Sequence, residues 1–116
     1  MATTPFELAR IAANAADSKK ATDIILLDLE GMSDVCDYFL ICTADNARMI
    51  SSVVDEIEEK VKKNTGLGPL SREGRGGASW VLLDYGSVVI HVFLPEARDY
   101  YRLERLWGDA PQVDVL

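Results

Sequence analysis

The chain has 116 residues, the size of one domain (residues 1–116, with an ordered core from about 5 to 108), which excludes a two-domain enzyme. Its 12 Lys and Arg against 19 Asp and Glu give a net charge of −7, which disfavours tight binding to a phosphate backbone, since that affinity comes from basic side chains. We therefore expect no direct nucleic-acid partner and favour a basic protein.

Two cysteines and one histidine make no zinc-ligand pattern. The longest apolar stretches have five or six residues, far short of the ~20 that span a bilayer. We therefore expect a soluble, cytoplasmic protein with no membrane partner.

The first predicted element is a helix. Thr4 precedes Pro5, and Glu7 follows Thr4 by three residues, a spacing typical of a capping box in which Thr4 caps the helix. Apolar residues then recur at helical spacing, which extends the predicted helix to about Asp17.

Two apolar runs and an amphipathic segment come next. Residues 24–29 and Tyr38–Thr43 are too continuously apolar for strands with one solvent-facing side, so we predict two strands that are covered on both faces. Between residues 45 and 63, apolar positions spaced by three or four predict an amphipathic helix. Gly66 is the expected left-handed residue that ends it.

A hairpin comes after an irregular stretch, residues 66–79, in which we expect at most a short extended piece near Leu70. Trp80–Asp84 and Val88–Phe93 are two strongly predicted strands, and the spacing between them favours a tight turn with Gly86 in it. After the hairpin, a final helix is predicted.

The final helix opens at Pro95, includes Tyr101 and Trp107 among its apolar positions and ends at Gly108, while the tail from Asp109 shows no periodicity. The element order predicts an α/β (α+β) fold with a single mixed sheet flanked by helices. In it the β-α-β crossover gives a parallel pair and the hairpin an antiparallel one.

Three carboxylates are candidates for a metal site. Asp28 and Glu30 alternate on one strand and Asp84 ends another, so together they are similar to the set that binds divalent metals in nucleotidyl transfer. The sequence has no P-loop and no cluster of Lys or Arg near these acids. We therefore predict no catalytic residue, no metal ligand and no cofactor, and keep a metal-dependent nucleotidyltransferase as an alternative.

His91 and the Gly-rich segment 74–77 are both interpreted as structural. His91 lies inside an apolar strand with no identifiable nucleophile or orienting partner, which favours a half-buried structural or interface histidine over a general base. One Gly-Arg-Gly-Gly copy in an acidic chain indicates a mobile loop more than a phosphate cradle.

Trp80 is a candidate interface residue. It begins a strand directly after the Gly-rich segment, so its ring is expected either at a sheet edge or in the core. Aromatic residues carry much of the energy of protein interfaces, and Tyr85 at the adjacent turn offers a second ring. Strand alternation places Trp80 and Tyr85 on opposite faces unless the turn redirects Tyr85.

Four sequence blocks resemble one known family. The blocks are Asp37-Tyr-Phe-Leu-Ile-Cys-Thr43, Trp80-Val-Leu-Leu-Asp-Tyr-Gly86, His91-Val-Phe93 and Arg98-Asp-Tyr-Tyr-Arg-Leu-Glu-Arg-Leu-Trp107. In this order they closely resemble the ribosomal silencing factor family, also called the Iojap or RsfS family, and the match runs from about Phe6 to Asp109.

The resemblance implies a nucleotidyltransferase-like fold without its catalytic motifs, and a non-enzymatic function. It implies binding to the free large ribosomal subunit through the subunit's protein fourteen. Steric blocking of subunit joining would then repress translation under nutrient limitation. By motif, it implies that Trp80 and Tyr85 belong to the family's partner-binding surface. We expect the acidic Glu73 and Asp84 to meet basic side chains of the ribosomal protein there, and we include His91, which lies in the family's hairpin.

A third hypothesis is a self-associating scaffold. An exposed sheet edge and the apolar C-terminal helix are features from which a homodimer can form. We expect such dimerisation to compete with the ribosomal partner.

Overall fold

A computed structural model describes residues 3–34, 36–74 and 79–116. In chain order its elements are α1 (Pro5–Ser18), β1 (Thr22–Asp28), β2 (Tyr38–Thr43), α2 (Ala47–Thr65), β3 (Ser71–Glu73), β4 (Trp80–Asp84), β5 (Val88–Phe93), α3 (Pro95–Tyr101), α4 (Leu103–Leu106) and β6 (Gln112–Val113). The strands form one six-stranded sheet in the order β3-β4-β5-β2-β1-β6. Only β2 and β5 pair in parallel among the described strands, so the predicted mixed sheet flanked by helices is confirmed.

The helix ends coincide with the capping residues that the sequence contains. The Thr4 hydroxyl accepts the Glu7 N–H at 3.1 Å, so Thr4 caps α1 as predicted, while the Glu7 carboxylate accepts a hydrogen bond from the same hydroxyl. Asn46 caps α2 by accepting the Met49 N–H at 2.8 Å. Gly66 ends α2 in the left-handed conformation, with φ of 79°, as predicted.

The prediction of one continuous final helix is wrong. Arg102 has φ 47° and ψ 55°, a left-handed conformation that ends α3 and begins the four-residue α4. The short strand β3, just after Leu70, agrees with the extended piece that we expected there, whereas β6 forms in the tail where no element was expected. Of the predicted Gly-rich loop, only Gly74 lies within the described residues.

The sheet separates two apolar clusters, because successive strand residues point to opposite faces. We call the two sides the α1/α2 face and the α3/α4 face. On β2, for example, Leu40 packs with the α1/α2 cluster and its neighbour Ile41 with the α3/α4 cluster. The two free thiols are also divided, since Cys42 belongs to the first cluster and Cys36 to the second.

Arg98 fastens α3 and α4 to the sheet. Its guanidinium, with the side chain 11% exposed, donates to the Thr43 hydroxyl at 2.8 Å and to the Asp23 carbonyl, at the ends of β2 and β1. It also pairs with the Glu104 carboxylate of α4 at 3.3 Å. A charged group that is buried in this way depends on such partners, so Arg98 fixes where the short helices lie.

Among the described residues, no helix combines the length and the apolar composition that are needed to cross a membrane.

Gly66→Ala should lower the free energy of unfolding by about 1 kcal/mol, because a side chain is disfavoured in the left-handed conformation. Gly68→Ala is the matched control: neither glycine has a heavy atom within 4 Å of an added Cβ, but only Gly66 of the two has a positive φ. The control should be neutral or slightly stabilising. Urea unfolding measures both, and equal effects would contradict this explanation.

Candidate functional site

Cross-strand pairing brings several predicted site residues onto one face of the sheet. Glu73 of β3 lies opposite Leu82 of β4, and Leu82 lies opposite His91 of β5. Residues that are directly opposite share a face, and Trp80 and Asp84 share it with Leu82 by alternation along β4. This is the α3/α4 face, since Trp80 and Leu82 pack against its cluster.

The α3/α4 face is left partly open at β4. Along β5 every residue is buried, so both sides of that strand are covered. Along β4, Val81 and Leu83 are buried while Trp80, Leu82 and Asp84 are only half-buried. We call the open area, formed by Glu73, Trp80, Leu82, Asp84 and Tyr101, the β4 surface.

Trp80 lies both at an edge and against the core. Its ring stacks on Phe93 with 5.0 Å between ring centroids, and the Tyr101 ring lies 4.7 Å away. Its indole Nε1 donates a hydrogen bond to Nδ1 of His91 at 3.1 Å. One part of the indole is therefore fixed by neighbours, and the remainder is open to solvent.

His91 lies beneath this surface and is only 3% exposed, so the half-buried histidine that we predicted is instead fully buried. Burial lowers the pKa of its imidazole from 6.5 to about 4, because the low-dielectric surroundings disfavour the charged form. Since Nδ1 accepts the Trp80 N–H, the neutral ring carries its proton on Nε2, and Nε2 has no hydrogen-bond partner within the described ranges. A ring held neutral and covered in this way is not placed to exchange protons with a substrate.

Two carboxylates border the β4 surface. Asp84 accepts the Gly86 N–H at 2.7 Å, which closes the turn between β4 and β5. Glu73 is exposed on β3, directly opposite Leu82. An apolar patch with acidic groups at its border is suited to a partner that presents apolar and basic side chains.

Tyr85 lies on the other side of the sheet. It is 9% exposed and belongs to the α1/α2 cluster, so the structure does not bring it to Trp80, in agreement with strand alternation. Burial raises the pKa of its phenol to about 12. Its hydroxyl has no hydrogen-bond partner in the part of the chain that is described. The role of Tyr85 in partner binding remains a prediction. From this position its ring packs in the α1/α2 cluster, on the face opposite the β4 surface.

The carboxylates of the alternative metal site are not brought together. Asp28 accepts the Glu30 N–H at 2.9 Å at the end of β1, whereas Asp84 lies on β4, with β5 and β2 between them. Three interstrand spacings of about 4.8 Å place the two strands roughly 14 Å apart. Among the described residues, no group of three or more His, Cys, Asp or Glu is arranged to hold a metal ion.

Sequence reasoning missed Tyr101 as a site residue. We interpreted it as one apolar position of a long final helix, but the chain leaves α3 directly after it, and the ring stays 46% exposed beside Trp80. No local signal indicates this contact, because the two residues are 21 positions apart and meet only through the placement of α3 on the sheet.

The low pKa of His91 predicts a pH dependence of stability. Between pH 6.5 and about 4 the unfolded chain binds a proton at His91 that the folded chain does not, so stability falls as the pH falls through this window. The loss attributable to His91 should reach about 3 kcal/mol near pH 4 and vanish above pH 6.5. Urea unfolding of the wild type and His91→Phe at several pH values measures it.

The difference between the two proteins isolates His91, because contributions from carboxylates are common to both. The stability of the wild type relative to His91→Phe should fall as the pH is lowered. Parallel pH profiles would contradict the prediction.

Comparison with known proteins places the chain in a family. The sequence model of the family described as ribosomal silencing factor during starvation matches residues 2–116. The ribosomal silencing factor RsfS of Bacillus subtilis (strain 168) is 47% identical over 106 residues, which cover 91% of this chain and 89% of that protein. A relative from Mus musculus, named mitochondrial assembly of ribosomal large subunit protein 1, is 32% identical over 91 residues, which cover 77% of this chain and 40% of that protein.

The fold agrees with the sequence comparison. A crystal structure of a protein from Chromobacterium violaceum superposes with a TM-score of 0.87 at 34% identity, covering 91% of this chain and 88% of that one. The resemblance carried by the four sequence blocks is thereby confirmed. From its sequence and its fold alike, this chain belongs to the RsfS family of ribosomal silencing factors.

Proposed function

We propose that this protein binds the large ribosomal subunit through the subunit's protein fourteen and sterically blocks joining of the small subunit, so that translation falls when nutrients are scarce. The observation that carries the proposal is the β4 surface, where a half-buried tryptophan is held in place and left partly open. The family name, ribosomal silencing factor during starvation, supports the ribosomal context. The name of the Mus musculus relative supports the large subunit.

The apolar part of the β4 surface has the composition of an interface centre. Trp80 and Tyr101 are aromatic and Leu82 is half-buried between the two border carboxylates. Aromatic anchors in such patches often cost about 2 kcal/mol or more when truncated. Trp80 is the strongest anchor because its packed side is already ordered, so binding immobilises little further side-chain freedom.

The charges of this protein favour a basic protein surface over RNA. The net charge is −7, and Glu73 and Asp84 border the apolar patch itself. Basic side chains of a ribosomal protein would pair with these carboxylates at the rim. To block subunit joining, the bound protein needs only to occupy space at the joining face, and this chain has principal extents of 35 × 33 × 24 Å.

Trp80→Ala should weaken co-sedimentation with free large subunits by roughly 30-fold or more, the equivalent of an interface hot spot. Leu67→Ala is the control, because it truncates an exposed apolar side chain that lies outside the β4 surface. The control should bind like the wild type. Circular dichroism and thermal unfolding would verify that both variants fold.

The blocking mechanism further requires that the wild type co-sediments with free large subunits and not with assembled ribosomes. Equal binding to both particles would overturn it. Unchanged binding by Trp80→Ala would instead overturn the assignment of the β4 surface.

Glu73→Lys should weaken binding by roughly three- to tenfold, because it places a like charge against a basic partner at the rim. Glu59→Lys makes the same charge change on an exposed position of α2, an element that packs on the opposite face. It should leave the affinity almost unchanged. Equal weakening by the two variants would show that only net charge matters, against a role for the β4 surface.

A further inference from the structure

The Trp80 indole has stacking neighbours and one described hydrogen bond. Phe93 and Tyr101 contact its ring at centroid distances of 5.0 and 4.7 Å. Stacked rings can slide and rotate at little cost, because the attraction depends weakly on the in-plane angle. The bond from Nε1 to Nδ1 of His91, 3.1 Å long, is directional and fixes that angle.

His91 is an unusual residue for its place in the sheet. Among the described residues it is one of two buried polar residues, with Thr43; it is 3% exposed, and Phe39 packs against it edge-on with 4.6 Å between the rings. Accepting at Nδ1 forces its proton onto Nε2, where it finds no partner among the described residues. A buried donor without a partner destabilises the fold, and an apolar residue would avoid that cost.

The destabilisation by the buried Nε2 donor of His91 is explained if the orientation of the Trp80 indole is important for binding. Stacking on Phe93 and Tyr101 already packs the Trp80 ring on the sheet, so the imidazole is not what keeps the ring in place. The imidazole provides a hydrogen-bond acceptor at a fixed position, because His91 lies on the fully buried strand β5. We propose that His91 is a positioning residue that orients the Trp80 indole for docking without touching the partner.

This inference rests on the proposed function, since it assigns His91 a part in the binding made by the β4 surface. Two variants separate its acceptor from its ring. His91→Phe keeps an aromatic ring and removes the acceptor, whereas His91→Asn removes the ring and keeps an amide oxygen near the position of Nδ1.

The first measurement is hydrogen exchange of the indole N–H groups by nuclear magnetic resonance. In His91→Phe the Trp80 indole proton should exchange at least about tenfold faster, while His91→Asn should retain most of the protection. The Trp107 indole, which packs on Phe39 and not on His91, is the internal reference. Backbone protection of β4 and β5 reports whether each variant is folded.

The second measurement is affinity for free large subunits. His91→Phe should weaken binding by about two- to tenfold, the range for loss of one neutral hydrogen bond, and His91→Asn should recover part of this loss. In a Trp80→Phe background, which lacks the indole donor, His91→Phe should cause no additional loss. That non-additivity distinguishes positioning from a general weakening of the fold.

Equal exchange of the Trp80 indole in the wild type and His91→Phe would overturn the inference. So would additive losses in the double variant, or equal weakening by the Phe and Asn variants. If Trp80→Ala itself binds normally, the failure belongs to the proposed function. If Trp80→Ala binds weakly while the Trp80 and His91 variants show no coupling, the failure belongs to this inference alone.

Discussion

The parallel pairing of β2 with β5 is the constraint on which the rest of the structure depends. Two parallel strands cannot be joined by a hairpin, and the crossover between them contains α2, which joins α1 on one face of the sheet. The other face is left to α3 and α4, which have only seven and four residues and which Arg98 holds over the ends of β1 and β2. These short helices do not cover β4, whose α3/α4 side stays half-buried. The β4 surface is thus a consequence of topology.

Local signals in the sequence predicted the parts of the fold that local interactions determine. Thr4 and Gly66 mark their helix ends because capping involves neighbours in the chain. Alternation along β4 placed Tyr85 opposite Trp80, since side-chain direction in a strand follows from parity alone. In the structure the same alternation puts Trp80 and Asp84 on one face, and the pairing that adds Glu73 to them depends on β3.

The features that escaped prediction depend on contacts between distant segments. The break at Arg102 interrupts a run with continuous helical periodicity, so the sequence contains no local signal for it. Arg102 is left-handed between two helices that each pack on the sheet, through Ala97 and Leu103. β6 has only two residues, which is too short for a recognisable pattern, and it forms because β1 offers it an edge to pair with. The contact of Tyr101 with Trp80 results from the same placement of α3.

Acidity and the β4 surface together explain how a small protein would select one site on a particle rich in RNA. A chain with net charge −7 is repelled by phosphates wherever it approaches them. In the proposed binding mode the repulsion would weaken where a basic ribosomal protein is exposed, and there Glu73 and Asp84 would attract it at the border of the apolar patch. Discrimination against RNA would then come from the whole chain and affinity from a few side chains, so that repulsion elsewhere would matter as much to specificity as the contacts themselves.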